Sequence, residues 1–90
     1  MTAGASPETA AAQARVARVV DARGSFCPMP LMELIRAVEA SAEGELVAVY
    51  SSDRGSRIDI PRWAERAGHR VVGVYPREGY DEIVVQRGRR

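Results

Sequence analysis

The residues best suited to chemistry form one short segment, Cys27-Pro28-Met29-Pro30, which holds the only cysteine of the 90-residue sequence. A strand-like run and a turn precede the segment and a helix-like run follows it, so Cys27 is expected at or next to a helix N-terminus. The aligned peptide dipoles of a helix give positive potential at that end, and this potential favours thiolate over thiol. The segment therefore predicts a nucleophilic cysteine with a lowered pKa, and the alternative is a buried cysteine that packs as a small apolar side chain.

Two prolines and a glycine flank the cysteine. Pro28 suits the first helical position, where its fixed φ helps and its missing N–H is not needed. Pro30 also falls in the first turn, whose N–H groups lack partners within the helix. Gly24 is expected to supply a positive φ to the turn before the cysteine. These three residues are predicted to position Cys27.

Arg23 and Asp21 flank the same turn, and two interpretations of them stay open. In the first, the segment is an ordinary strand end at which Asp21 accepts a hydrogen bond from loop amides. In the second, Arg23 is a cation near Cys27 that stabilises the thiolate or a persulfide.

The elements that must position this segment follow from the spacing of apolar residues. Strands are predicted at Val16 to Ala22, Glu45 to Ser51, Arg70 to Tyr75 and Tyr80 to Arg87, and helices at Pro28 to Ala42 and Arg57 to Ala67. Each helix carries one apolar stripe at helical spacing. The stripes are Leu31, Leu34, Ile35, Val38 and Ala42 in the first helix and Ile60, Trp63, Ala64 and Ala67 in the second. Ser56 or Asp59 is expected to cap the second helix, with Pro61 in about its first turn.

The element order is βαβαββ, and it indicates the fold. Right-handed crossovers after the first two strands place both helices on the same side of the sheet. The second strand is apolar on both faces, which is typical of a central strand. The sequence therefore predicts an α/β fold, a two-layer sandwich in which a four-stranded mixed sheet carries two helices on one face.

Length and composition indicate one small domain, residues 16–90, after a flexible N-terminal extension, residues 1–15. Hydrophobic residues make up 46% of the sequence, enough for a single core. No run approaches the roughly 20 apolar residues of a transmembrane helix. One cysteine cannot form an internal disulfide, so a reducing, cytoplasmic location is expected.

Several function classes are disfavoured by residue counts. Cys27 and the single histidine, His69, are too few for a metal site of three or four ligands within one chain, so neither a metal nor a cofactor is expected. All thirteen basic residues are arginine, which excludes lysine Schiff-base chemistry.

Residues 51–90 hold nine arginines against six acidic residues, a bias that fits either an acidic partner or a solvated face. With only five aromatic residues in the chain, direct nucleic-acid binding is not expected.

The run from Val19 to Pro30 resembles the TusA (SirA-like) sulfur-carrier family, whose mark is a D-x-R-G-x-x-C-P-x-P segment that enters the first helix. The resemblance covers about residues 16 to 88. Its downstream parts are Ser52-Asp53, Gly55, Asp59-Ile60-Pro61, Trp63 and Gly68-His69. Arg54 stands where family members usually carry proline, and both a functional and a plain surface role stay open for it.

The resemblance implies a sulfur carrier. Cys27 would accept sulfane sulfur as a persulfide from a cysteine desulfurase or a rhodanese and pass it to an acceptor sulfurtransferase, for tRNA thiolation, cofactor synthesis or sulfur oxidation. Attack of a thiolate on sulfur is close in kind to thiol–disulfide exchange. Gly24, Pro28 and Pro30 would position the cysteine, and Arg23 would be its electrostatic helper. Such a protein is a sulfurtransferase-type carrier rather than a self-sufficient enzyme.

Two other classes remain open from the residues. One is a redox-sensing cysteine that cycles through sulfenic acid or a mixed disulfide, although the chain lacks a second cysteine to resolve it. The other is a non-catalytic regulatory or interaction module in which Cys27 is merely packed.

Overall fold

Strands and helices alternate along residues 16–89, which are the residues that the computed structural model describes. The elements are β1 (Val16–Asp21), α1 (Met29–Glu39), β2 (Leu46–Ser51), α2 (Ser56–Ala67), β3 (Arg70–Arg77) and β4 (Tyr80–Gln86). The predicted N-terminal extension, residues 1–15, lies outside the described residues. Neither helix within residues 16–89 has the length and apolar character needed to cross a membrane.

The four strands form one sheet in the order β1-β2-β4-β3. β1 pairs with β2 in parallel, whereas β4 lies antiparallel to both β2 and β3. The sheet is therefore mixed, and β2 is central, as its apolar character on both faces predicted. The predicted α/β fold is confirmed.

Both helices pack on the same face of the sheet, because their apolar stripes join one buried cluster with residues of the strands. Its members include Leu34 and Val38 of α1, Ile60 and Ala64 of α2, Val47 and Val49 of β2, and Ile83 and Val85 of β4, all with no exposed surface. Burying a side chain of this size stabilises a fold by roughly 1.5–3 kcal/mol. This layer holds the N-terminal ends of the helices against the sheet.

Two element ends differ from the prediction. α1 ends at Glu39 rather than Ala42, because the Nη1 atom of Arg87 donates to the carbonyls of Val38, Glu39 and Ser41 at 2.7–2.8 Å. β3 continues past Tyr75 to Arg77 and includes Pro76. β3 is an edge strand, where a residue without an N–H is tolerated.

The start of α2 also differs. Neither Ser56 nor Asp59 caps the helix, since Gly55 is the N-cap residue and has no side chain to bond the first-turn N–H groups. The Oγ of Ser56 instead lies 2.7 Å from the Oγ of Ser51, at the end of β2. Pro61 is the sixth helical residue, beyond the predicted first turn.

Candidate functional site

Cys27 lies at the edge of the sheet where β1 and β2 both end. Because these strands are parallel, the loop that follows β1 and the loop that follows β2 meet at this edge. The N–H of Gly24 donates to the Oγ of Ser52 across 2.9 Å and joins the two loops. Gly24 has a φ of +85°, which confirms the predicted left-handed conformation.

Asp53, in the loop after β2, holds the backbone of Cys27. Its Oδ2 accepts a hydrogen bond from the N–H of Cys27 at 2.6 Å, and its Oδ1 accepts one from the N–H of Gly55 at 2.9 Å. Hydrogen bonds to an ionised carboxylate are among the strong ones. One side chain therefore fixes the position of the cysteine relative to the start of α2.

Asp59, in the first turn of α2, holds the side chain of the cysteine. The thiol of Cys27 donates to Oδ2 of Asp59, with an Sγ–Oδ2 distance of 3.4 Å. Gly55 lies between the two carboxylates, and a Cβ added there would stand 3.3 Å from Oδ1 of Asp53 and 3.7 Å from Oδ2 of Asp59. A side chain at this position would crowd the carboxylate of Asp53, which holds the backbone of the cysteine.

These carboxylates overturn the predicted lowering of the Cys27 pKa. The hydrogen bond to Asp59, partial desolvation and the negative charges of Asp59 and Asp53 raise the pKa of the exposed Cys27 thiol above its ordinary value. The N-terminal end of α1 offers few free N–H groups in compensation. Pro30, in its first turn, has no N–H, and the N–H of Met29 is bonded to the carbonyl of Phe26 at 2.9 Å. These contacts therefore favour the thiol over the thiolate at the accessible Cys27.

The two predicted positioning prolines flank the start of α1. Pro28 is the residue before the helix, so the first helical position, predicted for Pro28, is held by Met29. The peptide bond between Cys27 and Pro28 is cis. Pro30 is the second residue of α1 and is buried, which ties the start of the helix to the core.

Arg23 pairs with Asp21 at the end of β1. Its Nε and Nη2 atoms donate to the two carboxylate oxygens of Asp21 at 2.9 and 2.7 Å, and the hydrogen bonds lower the pKa of Asp21 to about 2. The guanidinium also lies 5.0 Å from the ring centroid of Tyr80 and 5.7 Å from that of Tyr50. Within the described chain, the contacts of Arg23 are thus with these residues rather than with Cys27, and its role as an electrostatic helper stays a prediction.

Exposed apolar side chains accompany the cysteine. We call this group the apolar rim; it comprises Phe26 (77% exposed), Ile58 (56%), Met29 (43%) and Met32 (42%). Phe26 is adjacent to Cys27 in the chain, and Ile58 is adjacent to Asp59. Exposed apolar surface of this kind marks protein interaction sites. The exposure of the methionines favours a docking role over packing in the core.

His69 lies outside this site, at the opposite end of α2 from Asp59. Its Nδ1 accepts a hydrogen bond from the N–H of Gly88 at 2.9 Å, and its ring lies 5.1 Å from that of Trp63. Burial lowers the pKa of His69. The single histidine therefore has a structural place near the C-terminal end of α2.

Asp53 and Asp59 are the two site residues that sequence reasoning missed. Both residues stand within the family resemblance, and Asp59 is also a predicted helix cap, but neither is predicted from the sequence to contact Cys27. A signal was present, because residues that follow two neighbouring parallel strands meet at one edge of the sheet. That rule brings the loop of Asp53 to the loop of Cys27.

Comparison with known proteins agrees with this geometry. A family model described as Sulfurtransferase TusA matches residues 18–87. A candidate sulfur carrier protein of Archaeoglobus fulgidus is 52% identical over 69 residues, which are 77% of this chain and 94% of that protein. The sulfur carrier protein TusA of Pseudomonas savastanoi pv. phaseolicola is 38% identical over 61 residues, which are 68% of this chain and 73% of that protein.

A solved structure shows the same fold. The crystal structure of a SirA-like protein from Desulfitobacterium hafniense superposes with a TM-score of 0.70 at 26% identity, covering 79% of this chain and 97% of that one. The chain therefore belongs to the TusA sulfurtransferase family, and this membership supports a sulfur-carrier role.

Proposed function

We propose that this protein accepts sulfane sulfur as a persulfide on Cys27 and relays it to a second protein. The donor would be a cysteine desulfurase or a rhodanese, and the acceptor a sulfurtransferase with a reactive cysteine. The observation that carries the proposal is the exposed Cys27 thiol, held by Asp53 and Asp59 at an open sheet edge. A carrier needs such an accessible sulfur atom and a docking surface rather than an enclosed substrate cavity.

The loading step conserves atoms and electrons. The sulfur of Cys27, after losing its proton, attacks the terminal sulfur of a donor persulfide. A new S–S bond forms at Cys27 as the S–S bond of the donor breaks, and the donor cysteine leaves as a thiolate that takes up the proton. Unloading repeats the exchange with an acceptor thiolate, so neither step needs an external oxidant or reductant.

The carboxylates give this carrier a protected resting state. Because the thiolate is the nucleophile, a thiol hydrogen-bonded to Asp59 reacts slowly with incidental electrophiles. A docked partner that brings a positive charge near Asp59 would shift the balance towards thiolate. The apolar rim supports docking of a protein, and Gly24, Pro28, Pro30 and Arg23 are proposed to position and assist the cysteine.

The fate of the sulfur is a further part of the proposal. The family resemblance suggests tRNA thiolation, cofactor synthesis or sulfur oxidation as the use of the relayed sulfur.

A single cysteine with no disulfide partner among these 90 residues supports a reducing, cytoplasmic location.

The test is the intact mass of the protein after incubation with a cysteine desulfurase and cysteine, measured before and after a reductant. We expect wild type to gain the mass of one sulfur atom, and the reductant to remove it. Cys27→Ser is the control and should gain nothing.

The carrier proposal would be abandoned if neither a desulfurase nor a rhodanese loads the wild type while an alkylating reagent also fails to modify Cys27 in the folded state. A gain that persists in Cys27→Ser would equally remove Cys27 from the reaction.

A further inference from the structure

A second feature of the surface, which we call the arginine cleft, lies beside the loop that follows β2. It has a volume of about 350 Å³, and its lining includes Arg54, Arg57 and Arg77 together with Ser52, Tyr80 and Asp81. These three arginines come from the loop after β2, from α2 and from the end of β3. The fold therefore brings Arg77 to Arg54 and Arg57, which are close in the chain.

Two of the arginines are held in place by buried carboxylates. Arg57 donates to both oxygens of Asp81 at 2.6 and 3.0 Å, and Arg77 donates to Oε1 of Glu82 at 2.7 and 3.1 Å. The carboxylate side chains are only 5% exposed, whereas those of Arg57 and Arg77 are 50% and 29% exposed. A guanidinium has five N–H donors, so each arginine keeps donors for a ligand while its orientation is fixed.

The third arginine gives the cleft its surplus charge. The side chain of Arg54 is exposed and forms no hydrogen bond or ion pair with another residue in the described part of the chain. Asp81 is paired with Arg57 and Glu82 with Arg77, so among the described residues Arg54 is the arginine of the cleft that has no paired carboxylate. An anionic group that enters it would pair with Arg54 without displacing the existing ion pairs.

The cleft shares a loop with the cysteine site. Ser52 contributes to the wall of the cleft, and its Oγ accepts the hydrogen bond from Gly24, three residues before Cys27. The next residue, Asp53, bonds the N–H of Cys27, and Arg54 returns to the cleft. A chain bound in the cleft would therefore lie beside the loop that holds the thiol.

We propose that the arginine cleft is the docking site for an acidic segment of a protein that exchanges sulfur with Cys27. The inference rests on the proposed function, since a carrier must hold each partner long enough for its cysteine to reach Cys27. Carboxylates match the fork of N–H groups that preorganised guanidiniums present. Charge complementarity of this kind raises the rate of association and selects among partners.

The test uses a fluorescein-labelled octaglutamate peptide as the probe, with binding followed by fluorescence anisotropy at low ionic strength. We expect Arg54→Glu to weaken binding about fivefold or more, and added salt to weaken wild-type binding in parallel. The matched control is Arg70→Glu, with the same charge change on an exposed residue at the far end of β3. At about 3.3 Å per residue, position 70 lies roughly 23 Å from Arg77 along the strand. This control should change affinity by less than about twofold.

Amide NMR spectra supply a second readout that does not depend on a variant. Bound peptide should shift the resonances of Ser52, Arg57, Arg77 and Tyr80, and the spectrum of Arg54→Glu should show a native fold. Equal losses in Arg54→Glu and Arg70→Glu, or shifts confined to another surface, would mean attraction by overall charge and would overturn the proposal.

Two further probes separate other ligands. If sulfate binds saturably at the cleft while the peptide does not, the cleft is a site for a small oxyanion and the docking proposal fails. If a labelled oligouridylate of the same length binds more tightly than the peptide and loses binding in Arg54→Glu, the cleft faces nucleic acid and the proposal fails as well.

These experiments also distinguish failure of the docking proposal from failure of the proposed carrier function. Peptide binding does not need the thiol, so Cys27→Ser should bind the peptide as wild type does. Failed persulfide loading with intact peptide binding would remove the carrier function but leave an acidic docking site. Normal loading with no peptide binding would remove the docking site alone.

Discussion

The thiol of Cys27 donates a hydrogen bond to Oδ2 of Asp59 across 3.4 Å, although the two residues are 32 positions apart in the chain. The carboxylate that orients the thiol also disfavours its ionisation, because a thiolate would lose the bond and face a negative charge. Positioning and reactivity of the cysteine are thus governed by the same side chain. The contact that orients the thiol therefore also makes it less reactive.

Replacing Asp59 by asparagine should make the cysteine more reactive. The amide oxygen can still accept the hydrogen bond, but the negative charge that raises the pKa of Cys27 is gone. We expect the pH midpoint of alkylation by iodoacetamide to move to lower pH, with a several-fold faster reaction at neutral pH.

The control for that experiment is Glu65→Gln, which removes one negative charge from an exposed position of the same helix. It should leave the alkylation profile of wild type unchanged. An unchanged or higher midpoint in Asp59→Asn would show that Asp59 does not set the pKa of Cys27.

Replacing Asp53 by alanine should loosen the cysteine loop. The change removes two hydrogen bonds to a carboxylate, from the N–H groups of Cys27 and Gly55. Because the side chain is partly exposed, we expect the free energy of unfolding in urea to fall by about 1–2 kcal/mol. Asp53→Asn, which keeps an acceptor oxygen, should lose less. Equal stability of wild type and Asp53→Ala would contradict the assigned role.

Truncating Leu34 should destabilise the layer that supports the site. Leu34 is fully buried between α1 and the sheet, and Leu34→Ala leaves a cavity that costs about 2–5 kcal/mol in the free energy of unfolding. Met32→Ala changes an exposed residue of the same helix and should alter stability by about 0.5 kcal/mol or less. Similar urea midpoints for the two variants would argue against the described packing of α1.

His69 should make stability depend on pH in a defined window. Burial and the charge of Arg87 lower its pKa in the folded protein, with Glu39 acting in the opposite direction, whereas the unfolded chain takes up a proton near pH 6.5. The unfolded state therefore binds more protons, and stability falls as the pH drops from 6.5 through the folded pKa.

Urea midpoints at pH 7.5 and at pH 5.5 test this dependence. Wild type should be less stable at the lower pH, and His69→Gln, which cannot ionise, should show a flatter dependence. An equal change in urea midpoint between pH 7.5 and pH 5.5 in the two proteins would exclude His69 as the source of the pH dependence.

The fold was readable from the sequence because its signals are local. The stripes that contain Leu34 and Val38 in α1 and Ile60 and Ala64 in α2 predicted the buried faces, and these residues are fully buried. The positive φ of Gly24 was readable for the same reason, since a tight turn demands it. The ends of helices and strands were harder to predict from the sequence. α1 stops where Arg87, 48 positions away from Glu39, bonds the last carbonyls of the helix.

The reactivity of the cysteine was not readable, because it depends on contacts between distant positions. The positive end of a helix is a local property of the segment after Cys27, and it carries about half a unit charge. The carboxylate of Asp59 brings a full negative charge, with Oδ2 lying 3.4 Å from Sγ, and only the folded sheet places it there. The sequence prediction considered only the smaller effect of the helix end. It therefore gave the wrong direction for the shift in the pKa of the thiol.

The order of the strands has a consequence for synthesis on the ribosome. β4 follows all the other described elements in the chain, yet it lies between β2 and β3 and bonds both of them. Until residues 80–86 have been synthesised, a nascent chain has no partner for the inner edges of β2 and β3. We therefore expect native structure to form in one step late in translation, so that the loop that carries Cys27 is assembled only on chains that have reached β4.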